Sequence, residues 1–194
     1  MSEQPHAVLL DSNVYFRLAC SIRPLLKGSF GDAPRYTMFV LAALDQEYRK
    51  NVRLQHKFRW VTESEYCNDR AAKLYELNRK KCEDVDRAVR FLAAYANEHR
   101  LNVSLVDLKA LAAGFVDSIP LVTDDGDMKR VADAHGIECW SMIKLLKLLC
   151  SAGRIDDEMV VQVLEYLKFE NDLPMPVDRL RRVFKDYFGT NCPI

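Results

Sequence analysis

Four short runs, Ala7–Leu10, Tyr36–Leu41, Pro120–Thr123 and "IECW" at 137–140, constrain the fold of this chain most. Each is largely apolar and too brief for a helix of its own, the mark of a strand buried in a sheet. The segments between them carry apolar residues at helical spacing. From Asn13 to Leu26 these fall at 14, 15, 16, 18, 19, 22, 25 and 26, and Pro24 is expected to end or kink that helix near Ile22-Arg23. "KGSFGDAP" (27–34) reads as a loop, Ala42–Lys50 as a helix, and about Glu63 to His99 as long charged helices. In "VDLKALAAGF", Val106, Leu108, Leu111, Ala112 and Phe115 share one helix face. Asp127–Ala134 is a further helix with Gly136 as its C-terminal cap, and Ser141 opens "SMIKLLKLLC". Short strands alternating with helices predict an α/β fold with a parallel sheet and right-handed crossovers. From Ser151 the pattern changes to two helical segments, 156–169 and 177–188, separated by "NDLPMP", which reads as a C-terminal helical extension, 151–194.

Composition narrows the functional classes. The 28 Lys and Arg balance 28 Asp and Glu, so a polyanionic partner would have to be met by a local basic patch. No apolar run approaches the roughly 18 residues of a membrane span. The N-terminus lacks a signal peptide's order of basic flank, apolar core and small-residue cleavage site. Six scattered cysteines contain no C-x-x-C pair and are expected to be reduced thiols in the cytoplasm.

Two of the predicted strands end in acid. "AVLL" runs into Asp11, and "PLVT" runs into Asp124-Asp125-Gly126-Asp127. Glu47 and Asp107 sit inside apolar helical patterns, and Asp45 lies two residues before Glu47. Taken singly, Asp11 can cap the helix after it, "TDDGD" can be a solvated turn, and Glu47 and Asp107 can be surface residues. Ligands of a parallel sheet gather beyond the carboxyl ends of its strands, where several converging carboxylates would repel one another. Mg²⁺ or Mn²⁺, hard cations that take oxygen ligands, would relieve that repulsion.

"AVLLDSNV", "VLAALDQEY", "SLVDLKALAAG" and "PLVTDDGDMKRVADAHGIECWS" resemble the PIN domain, the metal-dependent ribonuclease fold of many bacterial toxins and RNA-processing nucleases. The resemblance spans roughly residues 5–150, with a helical insert at about 50–100. It implies a three-layer α/β/α nuclease domain at 1–150. It also implies that Asp11, Glu47, Asp107 and Asp125 hold one or two Mg²⁺ or Mn²⁺ ions, with Asp127 as a further ligand. Asn13, Thr123 and Ser104 would support these ligands from behind, and Asp45 is the alternative to Glu47 as the second acid. Asp124 stands where the family often has Asn. The implied activity is hydrolysis of RNA phosphodiester bonds, by a toxin of a toxin-antitoxin pair or an RNA-processing enzyme. Implied partners are RNA, an antitoxin or other protein, and a second copy of the chain.

The segment "RKNVRLQHKFRW" holds Arg49, Lys50, Arg53, Lys57 and Arg59 with no acid between Tyr48 and Thr62, and is the candidate RNA-binding surface. Phe58 and Trp60 either stack on bases there or pack inward. Asn78–Lys81 is a weaker basic segment, flanked by Glu76, Glu83 and Asp84. Asn13 stands where haloacid-dehalogenase-like phosphatases have their second Asp, and an amide cannot donate a proton as a carboxylic acid does. The remaining alternative is a module of the same fold that binds RNA or protein without turnover.

Overall fold

His6–Leu10 forms β1, the central strand of a five-stranded sheet in the computed structural model, which describes residues 4–77 and 79–194. Of the weaker basic segment, Asn78 and the side chain of Arg79 lie outside the described residues. The other strands are β2 (Ser29–Phe30), β3 (Tyr36–Phe39), β4 (Leu121–Val122) and β5 (Cys139–Trp140). Their order is β2-β3-β1-β4-β5. β1 pairs in parallel with β3 and β4, and β4 with β5. The two residues of β2 run antiparallel to β3, inside the segment read as a loop. So short a strand at a sheet edge leaves too little periodicity to be read from sequence.

Alternation along the strands divides the core into two. Val8 and Leu10, Met38, Val122 and Trp140 face one apolar cluster, whereas Leu9, Phe39, Leu121 and Cys139 face the other. The first cluster receives helix α1 (Ser12–Ala19), α2 (Ala43–Lys50), α8 (Met142–Ser151), α9 (Asp157–Phe169) and α10 (Val177–Phe188). The second receives α5 (Arg79–Glu98), α6 (Leu105–Asp117) and α7 (Gly126–His135). Helices on both faces of a mostly parallel sheet make the α/β/α layering expected from the sequence. Gly136 ends α7 with φ +67°, the left-handed cap its position predicts.

Two local expectations differ. α1 stops at Ala19, because Pro24 and its neighbours leave helical geometry, yet Ile22, Leu25 and Leu26 still reach the core. The stretch from Glu63 to His99 is also not continuous helix. α3 (Val52–Lys57) and a 3-10 turn (Arg59–Thr62) precede α4 (Ser64–Ala71), and the chain then returns to the sheet, where Leu74 bridges Val40 in parallel. Phe58 and Val61 are buried here, so the apolar positions serve a compact turn rather than one helix face.

Arg70 ties this turn to the sheet. Its guanidinium donates to Asp45 at 2.9 Å, to the Tyr15 hydroxyl at 3.2 Å and to the Val61 carbonyl at 2.9 Å. Replacing it by Met, of similar length, strands a buried carbonyl and hydroxyl. Arg70→Met is expected to cost about 2 kcal/mol in urea unfolding.

Val160, Val163, Leu164, Leu167, Leu180 and Phe184 pack into the cluster that holds β1, so the tail helices share its core. Asp172, between α9 and α10, pairs with Arg17 at 3.1 Å and Lys57 at 2.8 Å. All six cysteines are free. Among the described residues no helix is long and apolar enough to cross a membrane.

Candidate functional site

α1, which follows β1, packs on one face of the sheet, and α7, which follows β4, packs on the other. Connections leaving two adjacent parallel strands in opposite directions open a crevice at their carboxyl ends. Asp11 and Asp125 stand at the two lips of that crevice.

Asp11 occupies the N-cap position of α1, but its side chain makes no cap hydrogen bond. The helix-cap reading of this residue is therefore not what the geometry shows. The carboxylate is 3% exposed and accepts a hydrogen bond from Thr123 Oγ1 at 3.2 Å, while Thr123 itself is fully buried. The same Thr123 oxygen accepts the Asp125 N–H at 3.2 Å, so one hydroxyl joins the ends of β1 and β4. Burial pushes the Asp11 carboxyl up to about 7. The neighbouring charges of Asp107, Glu47 and Asp125 add to the rise, and the Thr123 hydrogen bond works against it.

The other three acids reach the crevice from separate elements. Glu47 projects from α2, and burial with the Asp107 charge raises its carboxyl, against the nearby Ser12 hydroxyl. Its Oε2 atom is buried with no hydrogen-bond partner. Asp107 is the third residue of α6 and closes a capping box, accepting the Ser104 N–H at 2.9 Å while its own N–H donates to Ser104 Oγ at 3.2 Å. Burial raises it too, with the Asp125 charge adding and the Ser104 bonds opposing. Asp125 caps α7 through Oδ1, which accepts the Met128 N–H at 2.8 Å. These caps use one oxygen of Asp107 and one of Asp125 and leave the other oxygen of each.

The remaining sequence candidates lie differently. Asp127 accepts the Asn102 N–H at 2.9 Å and pairs with Arg130 at 3.8 Å. Asp45 is engaged by Arg70, so Glu47 is the α2 acid that meets the others. Asp124, where the family often has Asn, is engaged elsewhere: it pairs with Lys129 at 3.3 Å and accepts the Met142 N–H at 3.2 Å at the start of α8. Asn13 is exposed on the first turn of α1. Ser12 beside Glu47 escaped the sequence reading, and its place directly after Asp11 was the only signal for it.

The donor chemistry is of the kind a hard cation takes. Asp11, Glu47, Asp107 and Asp125 form no ion pair with any described residue, Glu47 Oε2 is orphaned, and all the donors are hard oxygens. Among the described residues no three His, Cys, Asp or Glu side chains are gathered closely enough to enclose an ion by themselves. Mg²⁺, which keeps several waters, does not require such a cage.

From Glu47 an open groove of about 520 Å³ runs past Lys50, Asn51 and Arg53 to Ser104 and Val106. Arg49, Lys50, Arg53, Lys57 and Arg59 are all exposed, but Lys50 and Arg53 alone among them line this groove. Lys57 is held by Asp172. Phe58 stacks on Phe16 at 5.1 Å and Trp60 packs on Tyr66 at 4.4 Å, so both rings turn inward and the stacking alternative falls away.

No family model matches the chain, and no curated protein matches it. Among solved structures, FitAcB from Neisseria gonorrhoeae is 16% identical, with a TM-score of 0.45, over 70% of this chain and 97% of that one. VapBC-5 of Mycobacterium tuberculosis, from the VapBC family of toxin-antitoxin systems, is 18% identical, with a TM-score of 0.46, over 71% of this chain and 99% of that one.

Proposed function

We propose that the chain is a Mg²⁺- or Mn²⁺-dependent endoribonuclease of the PIN type that hydrolyses RNA phosphodiester bonds. One observation carries the reading: a buried carboxylate, Asp11, lies among Glu47, Asp107 and Asp125 at the sheet's switch point, and none of the four forms an ion pair with a described residue. Asp11, Glu47, Asp107 and Asp125 would hold the ion, and Asp127 would join only by leaving Asn102 and Arg130. Such an ion lowers the pKa of water and offsets the charge that develops at a phosphodiester.

The chain's own groups supply the rest. Thr123 fixes the Asp11 carboxylate, and the α1, α6 and α7 N-termini beside the acids favour an anionic phosphate. Lys50 and Arg53 offer positive charge along the groove that leads to Glu47. A toxin held by an antitoxin and an RNA-processing enzyme would use this chemistry alike.

The test is cleavage of a labelled single-stranded RNA with Mn²⁺ and with EDTA. Cleavage is expected only with the metal, and Glu47→Gln is expected to lower it at least about 100-fold. Asp45→Asn should cleave within about twofold of wild type while losing about 1–2 kcal/mol of stability through Arg70. The opposite ranking of these two variants would remove Glu47 from the site. RNA binding without turnover at any Mn²⁺ concentration would identify a binding module instead. Lys50→Ala and Arg53→Ala should each flatten the salt dependence of RNA binding, by about 0.7 in the log–log slope per lost phosphate contact. An unchanged slope would place the RNA elsewhere.

A further inference from the structure

A second cleft opens on the far side of α2 from the acid groove. It has a volume of about 320 Å³ and an apolar floor of Leu41, Tyr75, Leu77 and Val85. Three polar side chains rim it: Gln46 on α2, Asp86 on α5 and Lys109 on α6. None of the three makes a hydrogen bond or ion pair with any described residue. A carboxylate, an ammonium and a carboxamide around one apolar floor, all with unspent bonding capacity, form a recognition surface rather than a structural network.

The cleft and the acid site are lined by neighbouring residues of the same two helices. Gln46 directly precedes Glu47, their Cα atoms about 3.8 Å apart. Lys109 follows Asp107 by two residues on α6. A strand that passes the acids and follows α2 would bring a later base to the cleft.

The rim chemistry selects among the bases. A carboxylate only accepts, an ammonium only donates, and a carboxamide does both. Guanine presents two adjacent donors, N1–H and the N2 amino group, beside one acceptor, O6. Adenine and cytosine set a bare ring nitrogen next to their amino group, which would face the carboxylate lone pairs. Uracil has a single N–H between two acceptors. We propose that this cleft is a guanine pocket for the RNA substrate, with Asp86 accepting from N1–H and N2–H, Lys109 or Gln46 donating to O6, and the apolar floor covering the ring. Single-stranded RNA is commonly read in this way, by splayed bases held on their Watson–Crick edges.

The pocket deepens the nuclease reading and rests on it for its purpose, yet its chemistry can be tested separately. The probes are the four free nucleosides, which carry no phosphate and so require neither the metal nor the acids. Binding to the full chain in EDTA is followed by saturation-transfer NMR. Guanosine is expected to bind about tenfold more tightly than adenosine, cytidine or uridine. Asp86→Asn and Lys109→Met should each erase that preference, with melting temperatures held within a degree or two by these surface positions. In a parallel assay with Mn²⁺, cuts should cluster beside guanosines in wild-type protein and lose that bias in Asp86→Asn. Equal binding of all four nucleosides overturns the pocket, as does an Asp86→Asn protein that keeps the preference. Selective guanosine binding without RNA cleavage sustains the pocket and overturns the nuclease reading alone.

Discussion

Asp11→Asn is expected to abolish RNA cleavage and, with no divalent cation present, to make the protein more stable at pH 8. The two effects have one cause. The Asp11 carboxyl, with an ordinary value of 3.8, is pushed up to about 7 by burial and by Asp107, Glu47 and Asp125. The folded state thus holds the proton more tightly than the unfolded chain. Below about pH 4 both states are protonated and the site costs nothing. As pH rises towards 7 the unfolded chain ionises freely while the folded one resists, so stability falls across that window. A difference of about three pH units corresponds to about 4 kcal/mol. The amide of Asn carries no charge to resist. Urea unfolding in EDTA should therefore show the variant ahead of wild type at pH 8 and level with it near pH 4. Cleavage should drop at least about 100-fold if Asp11 holds the ion as proposed, since loss of a ligand costs no less than loss of its outer partners. A variant no more stable than wild type at pH 8 would mean that the Asp11 charge is compensated by some other group.

Divalent metal should act on the same charge from the other direction. A ligand that binds only the folded state stabilises it by about 2.7 kcal/mol at a hundred times its dissociation constant. Mn²⁺ is therefore expected to raise the melting temperature of the wild-type protein at pH 8 by several degrees, and to do so less at pH 5, where Asp11 is largely protonated. Asp107→Asn should blunt the rise, because it removes one of the charges facing Asp11. Asp127→Asn should leave it nearly intact, because that carboxylate is occupied by Asn102 and Arg130. A rise that is equal in wild type and Asp107→Asn would place the ion elsewhere.

The sheet was legible because its strands are short, apolar and followed by chemistry. "AVLLD" and "PLVTDD" each show a buried run and its acid in one glance, and the structure sets them side by side as β1 and β4. The helices after residue 120 were equally plain, since Ser141 and Gly136 mark ends that geometry confirms. Residues 50 to 77 were not plain. Apolar residues there serve a 3-10 turn and a single bridge at Leu74, neither of which has a period to read. Site membership was legible only as a set of candidates. Asp45 and Glu47 are two residues apart and equally acidic, and what separates them is Arg70, twenty-five positions from Asp45 along the chain. Asp124 and Asp125 are likewise adjacent. They divide because the Met142 N–H and Lys129 engage the first, while the second caps α7 with an oxygen left over.

The Thr123 hydroxyl joins two points 112 positions apart in the chain. That span has a consequence for the order in which the protein is made. Asp11 leaves the ribosome well before Thr123, and β1 has no β4 beside it until the chain as far as Val122 has been synthesised. Such distant pairings form late, because the loop they close must first be complete. A nascent chain that ends before Leu121 carries Asp11, Glu47 and Asp107 but neither Thr123 nor Asp125. Translation itself would thus delay assembly of the acid site until the last of its carboxylates has emerged.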